Sequence, residues 1–192
     1  MSPRNYDMSK RAAAAAATRR RIVDATRALH TEQGVAATSW DQIAARAGVG
    51  VGTVYRHFPT LDDLVPACGE VSMEIVALPS ASDAPALFDG LEEPGARIAR
   101  LVAEVFAVYE RGAPELRVVR REPHAHPSIA ELGETVEATL SALVDAALPE
   151  ASPEDRAVTR AMIDLDSWEA MRRAGVGEPV AAVTELLAAR IA

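Results

Sequence analysis

Residues 38–58 read TSWDQIAARAGVGVGTVYRHF and predict two short helices joined by a tight turn. Gly48 follows the first helix, at the position where helices commonly end in a left-handed conformation that glycine adopts without strain. A second helix beginning after Gly50 would bury Val54 and Phe58, which lie four residues apart on one face. The buried stripe of the first helix has the spacing i, i+3, i+4, i+7 and consists of Trp40, Ile43, Ala44 and Ala47.

Two further features favour a helix-turn-helix, the motif that places its second helix in the major groove of DNA. Thr38 and Ser39 supply side-chain oxygens where the first helix needs an N-cap. The second helix has Tyr55 at its edge and a polar outer face of Thr53, Arg56 and His57. Spacing alone is equally compatible with an ordinary helical hairpin.

The composition predicts an all-α protein. Hydrophobic residues make up 49% of the 192 residues and aromatic residues only 4%, a mix that favours helices packed through small side chains. No alternating β-branched run and no Asn-Gly hairpin signal occurs in the sequence. We therefore expect about nine helices, with three in an N-terminal helix-turn-helix module and the others in a larger C-terminal helical domain.

The charge distribution distinguishes the N-terminal part from the rest. The whole chain has a net charge of −8, but residues 1–58 contain nine basic and four acidic side chains, a net charge of +5. The remaining residues contain 11 basic and 24 acidic side chains and have a net charge of −13. A basic segment on an acidic body is typical of a module that meets phosphates, although chance fluctuation is an alternative for so short a segment.

The positions of proline, glycine and alanine predict the domain boundaries, a loop and the ends of several helices. Residues 1–17 would form a disordered or frayed arm, irregular over residues 1–10 and alanine-rich after that. The helix-turn-helix domain would occupy 18–60 and the larger helical domain 61–192. Residues 79–94 are rich in Pro, Ser, Asp and Gly and predict a loop. Gly112 and Pro114 predict the end of the helix that begins near Pro94. The later predicted helices are 115–121, one on the apolar stripe from Ile129 to Val144 that ends near Pro149, 153–174 and 179–191.

At the helix-turn-helix positions the chain resembles the DNA-binding module of TetR-type transcriptional repressors. The similarity runs over about residues 18–64 and combines several separated positions, which makes it specific. Those positions are residues 18–25, Gly34, Thr38, residues 43–44, residues 47–49, residues 52–55 and Phe58. Downstream, the resemblance is one of architecture: an all-helical body whose last two helices typically form a four-helix bundle with a second subunit.

The resemblance implies roles at a double-stranded DNA operator. Thr38 would contact a phosphate, with Ser39 beside it at the helix start, and Gly48 would form the turn. Thr53 and Tyr55 would touch the DNA backbone or the bases. The positions nearest the base edges, where an arginine can pair with guanine, would be Val51, Arg56 and His57.

The chain departs from the family pattern at two positions. Gly50 stands where the family commonly has serine, so the recognition helix would lack a side-chain cap. Leu61 stands where the family usually has a lysine that contacts a phosphate. Losing that contact would lower the salt slope of DNA binding by about one unit. Arg19 and Arg20 lie near a helix start, where positive charge is mildly unfavourable, and we expect them to compensate by contacting phosphates.

The resemblance also implies a homodimer that releases its operator when a small-molecule effector binds in the C-terminal domain. Large side chains beside charges suggest the ligand-pocket residues Phe106, Tyr109, Arg117, Arg121 and Trp168, with Arg120 and Met171 as further candidates. For Phe106 and Trp168, plain core packing is the favoured alternative. The apolar surface for a dimer would come from Val158, Leu165, Val180, Val183, Leu187 and Ile191, although packing within one chain would use the same stripes.

Several classes of function lack support in the sequence. The sequence contains no nucleophile–base pair and no glycine-rich phosphate loop that would indicate an enzyme, and we expect no cofactor. His124 and His126 lack a third ligand at a recognisable spacing, so no metal site is predicted. The single cysteine, Cys68, is expected in the core. We expect a cytoplasmic protein without a membrane partner, and the open alternative is a DNA-binding regulator whose body binds another protein.

Overall fold

The computed structural model describes residues 3–191, with side chains from residue 8 onward. Nine α-helices and two short 3₁₀ helices, but no strand, occur within these residues. The prediction of an all-α protein with about nine helices is confirmed. The α-helices are α1 (Pro3–Gln33), α2 (Trp40–Ala47), α3 (Val51–His57), α4 (Leu61–Val76), α5 (Pro94–Arg121), α6 (Pro127–Ala147), α7 (Pro153–Met162), α8 (Leu165–Arg173) and α9 (Pro179–Ile191). The 3₁₀ helices are Ala81–Asp83 and Pro85–Phe88, within the segment predicted as a loop.

Helix α1 extends further toward the N-terminus than the sequence predicted. It includes residues 3–17, so the expectation of an irregular chain is wrong for residues 3–10. Residues 1 and 2 of that expectation lie outside the described residues. Alanine has the highest helix propensity of all residues. Each residue added to an existing helix gains one hydrogen bond without the cost of a new nucleation. The alanine run therefore continues the helix that begins the helix-turn-helix module.

The nine helices are divided differently from the prediction. Helix α5 continues through the predicted stop, and the break there is a kink at Gly112 (φ −133°, ψ 19°). A Cβ at this glycine would lie 2.4 Å from Val76 Cγ2, so the kink lies at a close approach to the end of α4. The predicted helix over 153–174 is two helices, because Asp164 caps α8 by accepting a hydrogen bond from the Asp166 amide at 3.0 Å. The two differences cancel in the helix count.

Two compact units make up the structure. The first contains residues up to Glu74 together with Arg117–Glu131. Within it, α1 packs against α2 and α2 against α3. The buried core of this unit includes Ile22, Val23, Leu29, Ile43, Val54, Phe58 and Leu64.

The second unit contains Ile75–Leu116 and the residues from Leu132 onward. Helices α7, α8 and α9 pack against one another within it. Its core includes Ile98, Leu101, Val105, Phe106, Leu143, Ile163, Val183 and Leu187. The predicted domains, 18–60 and 61–192, are each continuous in sequence, whereas each of these units combines two separated segments.

One stretch of the described chain, Leu61–Asp83, has the length and mean hydropathy (1.2) of a membrane span. The apolar core helices of soluble proteins pass the same test. Leu64, Val65 and Cys68 of α4 are buried, although only 28% of the apolar window is buried in all.

Candidate nucleic-acid interface

The start of α2 is a capping box built by Ser39. The Gln42 amide donates to Ser39 Oγ at 3.3 Å, and the Ser39 amide donates to Gln42 Oε1 at 2.8 Å. These reciprocal bonds satisfy two amides that a helix start otherwise leaves unpaired. Thr38, the other predicted cap, instead donates its hydroxyl to the Gly34 carbonyl at 2.7 Å. Its side chain therefore belongs to the connection between α1 and α2.

The turn between α2 and α3 has the predicted glycine geometry. Gly48 is left-handed (φ 65°, ψ 41°), and a Cβ there would have no atom within 4 Å. The Val49 amide donates to the Ala44 carbonyl at 3.0 Å and closes the end of α2. Gly50 begins α3 without a side-chain hydrogen bond, as expected from the absence of serine. Backbone geometry alone thus sets the angle at which α3 leaves the turn.

Helix α3 is anchored by one face and open on the other. Val54 and Phe58 are 0% and 1% exposed and hold the helix against the core. Arg56 Nη2 lies 3.4 Å from Thr53 Oγ1, so these two polar side chains share one face. The open face carries Val51, Tyr55 and Arg56 as exposed residues, with Thr53 and His57 partly exposed. These are the five α3 residues predicted to approach DNA.

The Trp40 ring lies beside Tyr55 and not in the buried stripe. Their ring centroids are 4.9 Å apart, and Trp40 is only partly buried. The prediction that Trp40 is buried in the core stripe of α2 is therefore wrong, since the buried residues of this helix are Ile43, Ala44 and Ala47. The contact instead fixes the Tyr55 ring at the edge of the open face.

The arginines of this unit differ in how free their charges are. Arg20 pairs with Asp24 at 3.1 Å and Arg46 with Glu32 at 2.6 Å. Surface pairs of this kind are weak, so a phosphate can compete for either guanidinium. Arg19 lies over the ring of Phe58, with its Cζ 4.7 Å from the centroid. Its charge is therefore held beside the C-terminal end of α3.

A carboxylate from far along the chain completes the connection between α1 and α2. The Ala36 amide donates to Glu122 Oε2 at 3.0 Å. Gly34 is left-handed (φ 95°), and a Cβ there would lie 2.1 Å from Glu122 Oε1. His30, one turn earlier, is buried, and burial lowers its pKa from 6.5 to about 4 despite the opposing effect of Glu122. Sequence reasoning missed Glu122, because nothing local marks a bond that spans 86 residues.

The start of α4 has a second long-range partner. His126 Nε2 lies 2.9 Å from Asp62 Oδ1, while His126 Nδ1 accepts a hydrogen bond from the Ser128 amide at 3.2 Å. The ring therefore caps α6 and contacts α4. Thr60 caps α4, with the Asp63 amide donating to Thr60 Oγ1 at 3.2 Å, as predicted. Leu61 is 50% exposed, so its predicted place in the buried stripe of α4 is wrong.

The comparisons with known proteins agree with this geometry. Residues 22–68 match the family described as bacterial regulatory proteins, tetR family. The solved structure of the multidrug binding protein EbrR, complexed with imidazole, is 25% identical with a TM-score of 0.55, and the match covers 91% of this chain and 89% of that chain. The tetR-family match is confined to residues 22–68, which contain the helix-turn-helix, α2 and α3 with the turn at Gly48.

Two curated relatives, both from Pseudomonas putida, are similar to this chain over 49 residues. The HTH-type transcriptional regulator SrpR is 51% identical over 49 residues, which are 26% of this chain and 23% of SrpR. The uncharacterized HTH-type transcriptional regulator TtgW is also 51% identical over 49 residues, 26% of this chain and 37% of TtgW. The matched part is thus well under half of either relative.

The predicted ligand-pocket residues fall into two groups. Phe106, Tyr109 and Trp168 are buried side by side, with ring centroids 6.3 Å and 5.8 Å apart. Tyr109 donates its hydroxyl to the Ile163 carbonyl at 2.9 Å, at the break between α7 and α8. These contacts are those of a packed core, the alternative favoured for Phe106 and Trp168.

The charged members of the predicted pocket lie in the other unit. Arg117 and Arg121 are exposed and belong to the segment Arg117–Glu131 of the first unit. Arg121 Nε is 3.4 Å from Glu122 Oε1. Their assignment to a ligand pocket stays a prediction.

Three of the six predicted dimer residues are buried within the single chain. Val183, Leu187 and Leu165 are 0%, 1% and 5% exposed, so the single chain already buries them. The intrachain alternative therefore holds for these three. Val158, Val180 and Ile191 are partly exposed. The large apolar side chain that α9 exposes is Leu186, at 62%.

The remaining reactive side chains have structural surroundings. Burial raises the pKa of the Cys68 thiol to about 12, so the nucleophilic thiolate is strongly disfavoured. Among residues 3–191, no group of three or more His, Cys, Asp or Glu side chains is placed to hold a metal ion. His126 has instead the Asp62 and Ser128 partners described above.

Proposed function

We propose that this protein is a homodimeric transcriptional regulator of the TetR family that binds a palindromic operator and releases it when a small molecule binds the helical body. The observation that carries the proposal is the geometry of α3. Val54 and Phe58 anchor one face of the helix, while the opposite face presents polar side chains to solvent. A short helix held in this way after a tight turn suits insertion into a major groove.

Electrostatics supports the binding of a polyanion to this face. The first 58 residues have a net charge of +5 in a chain of net charge −8. Arg56 projects from α3, and Arg19 is held at the end of the same helix by its contact with Phe58. We assign base reading to Arg56 and His57, and phosphate contacts to Arg19, Thr38 and Tyr55.

A dimer would present two α3 helices to successive major grooves, about 34–36 Å apart. The surface we propose for the dimer is the exposed side of α9 around Leu186, with partly exposed Val180 and Ile191 beside the buried stripe. Leu186 is exposed on a helix whose buried residues are Val183 and Leu187, so α9 has surface left for a partner. The predicted role of Val183 and Leu187 changes accordingly, since they orient α9 from within the chain.

Effector release is supported by two contacts within the first unit. Glu122 bonds the connection between α1 and α2, and His126 bonds the start of α4. Both belong to the segment Arg117–Glu131, between the body portions of α5 and α6. A ligand that changes those helices would act on the DNA-binding module through these bonds. The solved relative EbrR, titled a multidrug binding protein, makes a small molecule the favoured effector.

The test is an electrophoretic mobility shift with the full chain and the DNA upstream of its own gene. Arg56→Ala removes the proposed base contact and should weaken binding by about 5- to 150-fold. Arg100→Ala is the matched control, because it removes the same charge from an exposed position on α5, and it should bind like the wild type. No shift at moderate salt, or equal effects of the two variants, would overturn the proposal.

A further inference from the structure

The second unit contains an open cleft that none of the predicted ligand residues lines. Its volume is about 650 Å³, within the range of small-molecule sites, which is about 300–1,000 Å³. It lies where the loop before α5 meets the connection between α6 and α7 and the last turn of α9. On its apolar side lie Leu91 and Ile191, which are partly exposed, together with Phe88 and Leu148, which are 1% and 3% exposed.

The polar side of the cleft is acidic. Asp89, Glu92 and Glu150 line it, are exposed, and have no side-chain hydrogen-bond or ion-pair partner within residues 3–191. The fourth acid, Asp155, is already engaged, because it pairs with Arg190 at 2.8 Å and accepts a hydrogen bond from Ser152. Three unpaired carboxylates therefore face an apolar wall.

The basic residue of the cleft, Arg97, is used to build it. Its Nε donates to the Ala147 carbonyl at 2.9 Å and its Nη2 to the Ala146 carbonyl, both at the end of α6. Its Nη1 donates to the Leu91 carbonyl at 2.8 Å and the Phe88 carbonyl at 3.2 Å, in the loop before α5. The guanidinium thus joins two walls of the cleft and has its donors committed, so it is a poor partner for an anionic ligand.

We propose that this cleft binds a monovalent organic cation with a large apolar or aromatic body. The apolar wall would bury the body, and the carboxylates of Asp89, Glu92 and Glu150 would attract the charge. The inference rests on the proposed function for its consequence, since the bound cation would be the effector, but binding itself can be measured without DNA.

Two ions of nearly the same size and shape but opposite charge provide the test. Calorimetry with the full chain should show tetraphenylphosphonium binding and weakening as salt is raised. Tetraphenylborate should bind much more weakly or not at all. Equal or tighter binding of the borate would overturn the inference, because apolar burial without charge selection would then explain the cleft.

Variants locate the binding site. The triple variant Asp89→Asn, Glu92→Gln, Glu150→Gln should weaken phosphonium binding about tenfold, since each surface ion pair contributes a factor of about 1.5 to 5. The control Glu74→Gln, Glu134→Gln, Glu178→Gln makes the same change in net charge at exposed positions outside the cleft and should bind like the wild type. Equal weakening by both would show a general field effect and overturn the site.

A steric variant and a DNA readout complete the design. Ala151→Trp places a large ring in the cleft and should abolish phosphonium binding, while thermal unfolding verifies that the variant is folded. If the triple variant weakens phosphonium binding while phosphonium leaves the mobility shift of the wild type unchanged, the cleft is supported and its role as the effector site is rejected. If the wild-type chain gives no mobility shift without any ligand, that result counts against the proposed DNA binding and not against the cleft.

Discussion

The bond between Glu122 and Ala36 makes a quantitative prediction about Gly34. In Gly34→Ala, the new Cβ would lie 2.1 Å from Glu122 Oε1, so the carboxylate has to move away. Moving it breaks the 3.0 Å hydrogen bond from the Ala36 amide. A hydrogen bond to a charged group contributes about 1.5–3 kcal/mol. The left-handed backbone (φ 95°) costs an alanine about a further 1–2 kcal/mol.

The expected loss in the free energy of unfolding is therefore about 2.5–5 kcal/mol. A double-mutant cycle with Glu122→Ala separates the two contributions. Without the carboxylate, Gly34→Ala should cost only the backbone contribution of about 1–2 kcal/mol. The difference between the two backgrounds, about 1.5–3 kcal/mol, is the coupling between the two positions.

The chain offers a matched control in Gly48→Ala. Gly48 is also left-handed (φ 65°), but a Cβ there would have no atom within 4 Å. Its cost should be about 1–2 kcal/mol in both backgrounds. Urea denaturation followed by circular dichroism measures all the variants. A Gly34→Ala cost that is the same with and without the Glu122 carboxylate, within about 0.5 kcal/mol, would refute the reasoning.

Three further predictions follow from single side chains. Leu61→Lys should tighten operator binding and steepen the slope of log K against log salt by about one unit, since Leu61 is 50% exposed and leaves no cavity; an unchanged slope in fluorescence anisotropy would contradict this. As pH falls from 6.5 to about 4, the wild type should lose about 1.4 kcal/mol per pH unit relative to His30→Leu, because the unfolded chain takes up a proton that the buried ring does not accept. Above pH 6.5 the two denaturation profiles should run parallel, and parallel profiles at lower pH would contradict the prediction. Tyr109→Phe should lower the free energy of unfolding by about 1–2 kcal/mol, since it removes the donor to the buried Ile163 carbonyl, whereas Tyr55→Phe at an exposed position should have little effect.

The helix-turn-helix was predictable because its determinants are local. The capping box joins Ser39 to Gln42, three residues away, and the turn depends on Gly48 itself. The anchors of α3, Val54 and Phe58, lie one helical turn apart. Such features act through backbone geometry within a few residues, so the sequence pattern contains them directly.

Size and helical spacing misled the prediction at several side chains. Trp40 and Leu61 fit a buried stripe by spacing, yet Trp40 is only partly buried and Leu61 is 50% exposed. Phe106 and Trp168, named as pocket candidates with core packing as the favoured alternative, are buried in the core. Periodicity states which residues share a face, but whether that face has room for a given side chain depends on its neighbours.

Amino-acid order alone was sufficient for the all-helical class and for the helix-turn-helix with its glycine turn, because helix caps, left-handed glycines and i, i+4 spacing operate over one or two turns. It could not assign Val183 and Leu187 to intrachain packing, since a dimer would use the same apolar stripe. The Glu122 bond to Ala36, the His126 bond to Asp62 and the acidic cleft beside Arg97 needed three dimensions. Each of them joins side chains from distant segments, and only the packing of the helices brings those segments within hydrogen-bonding distance.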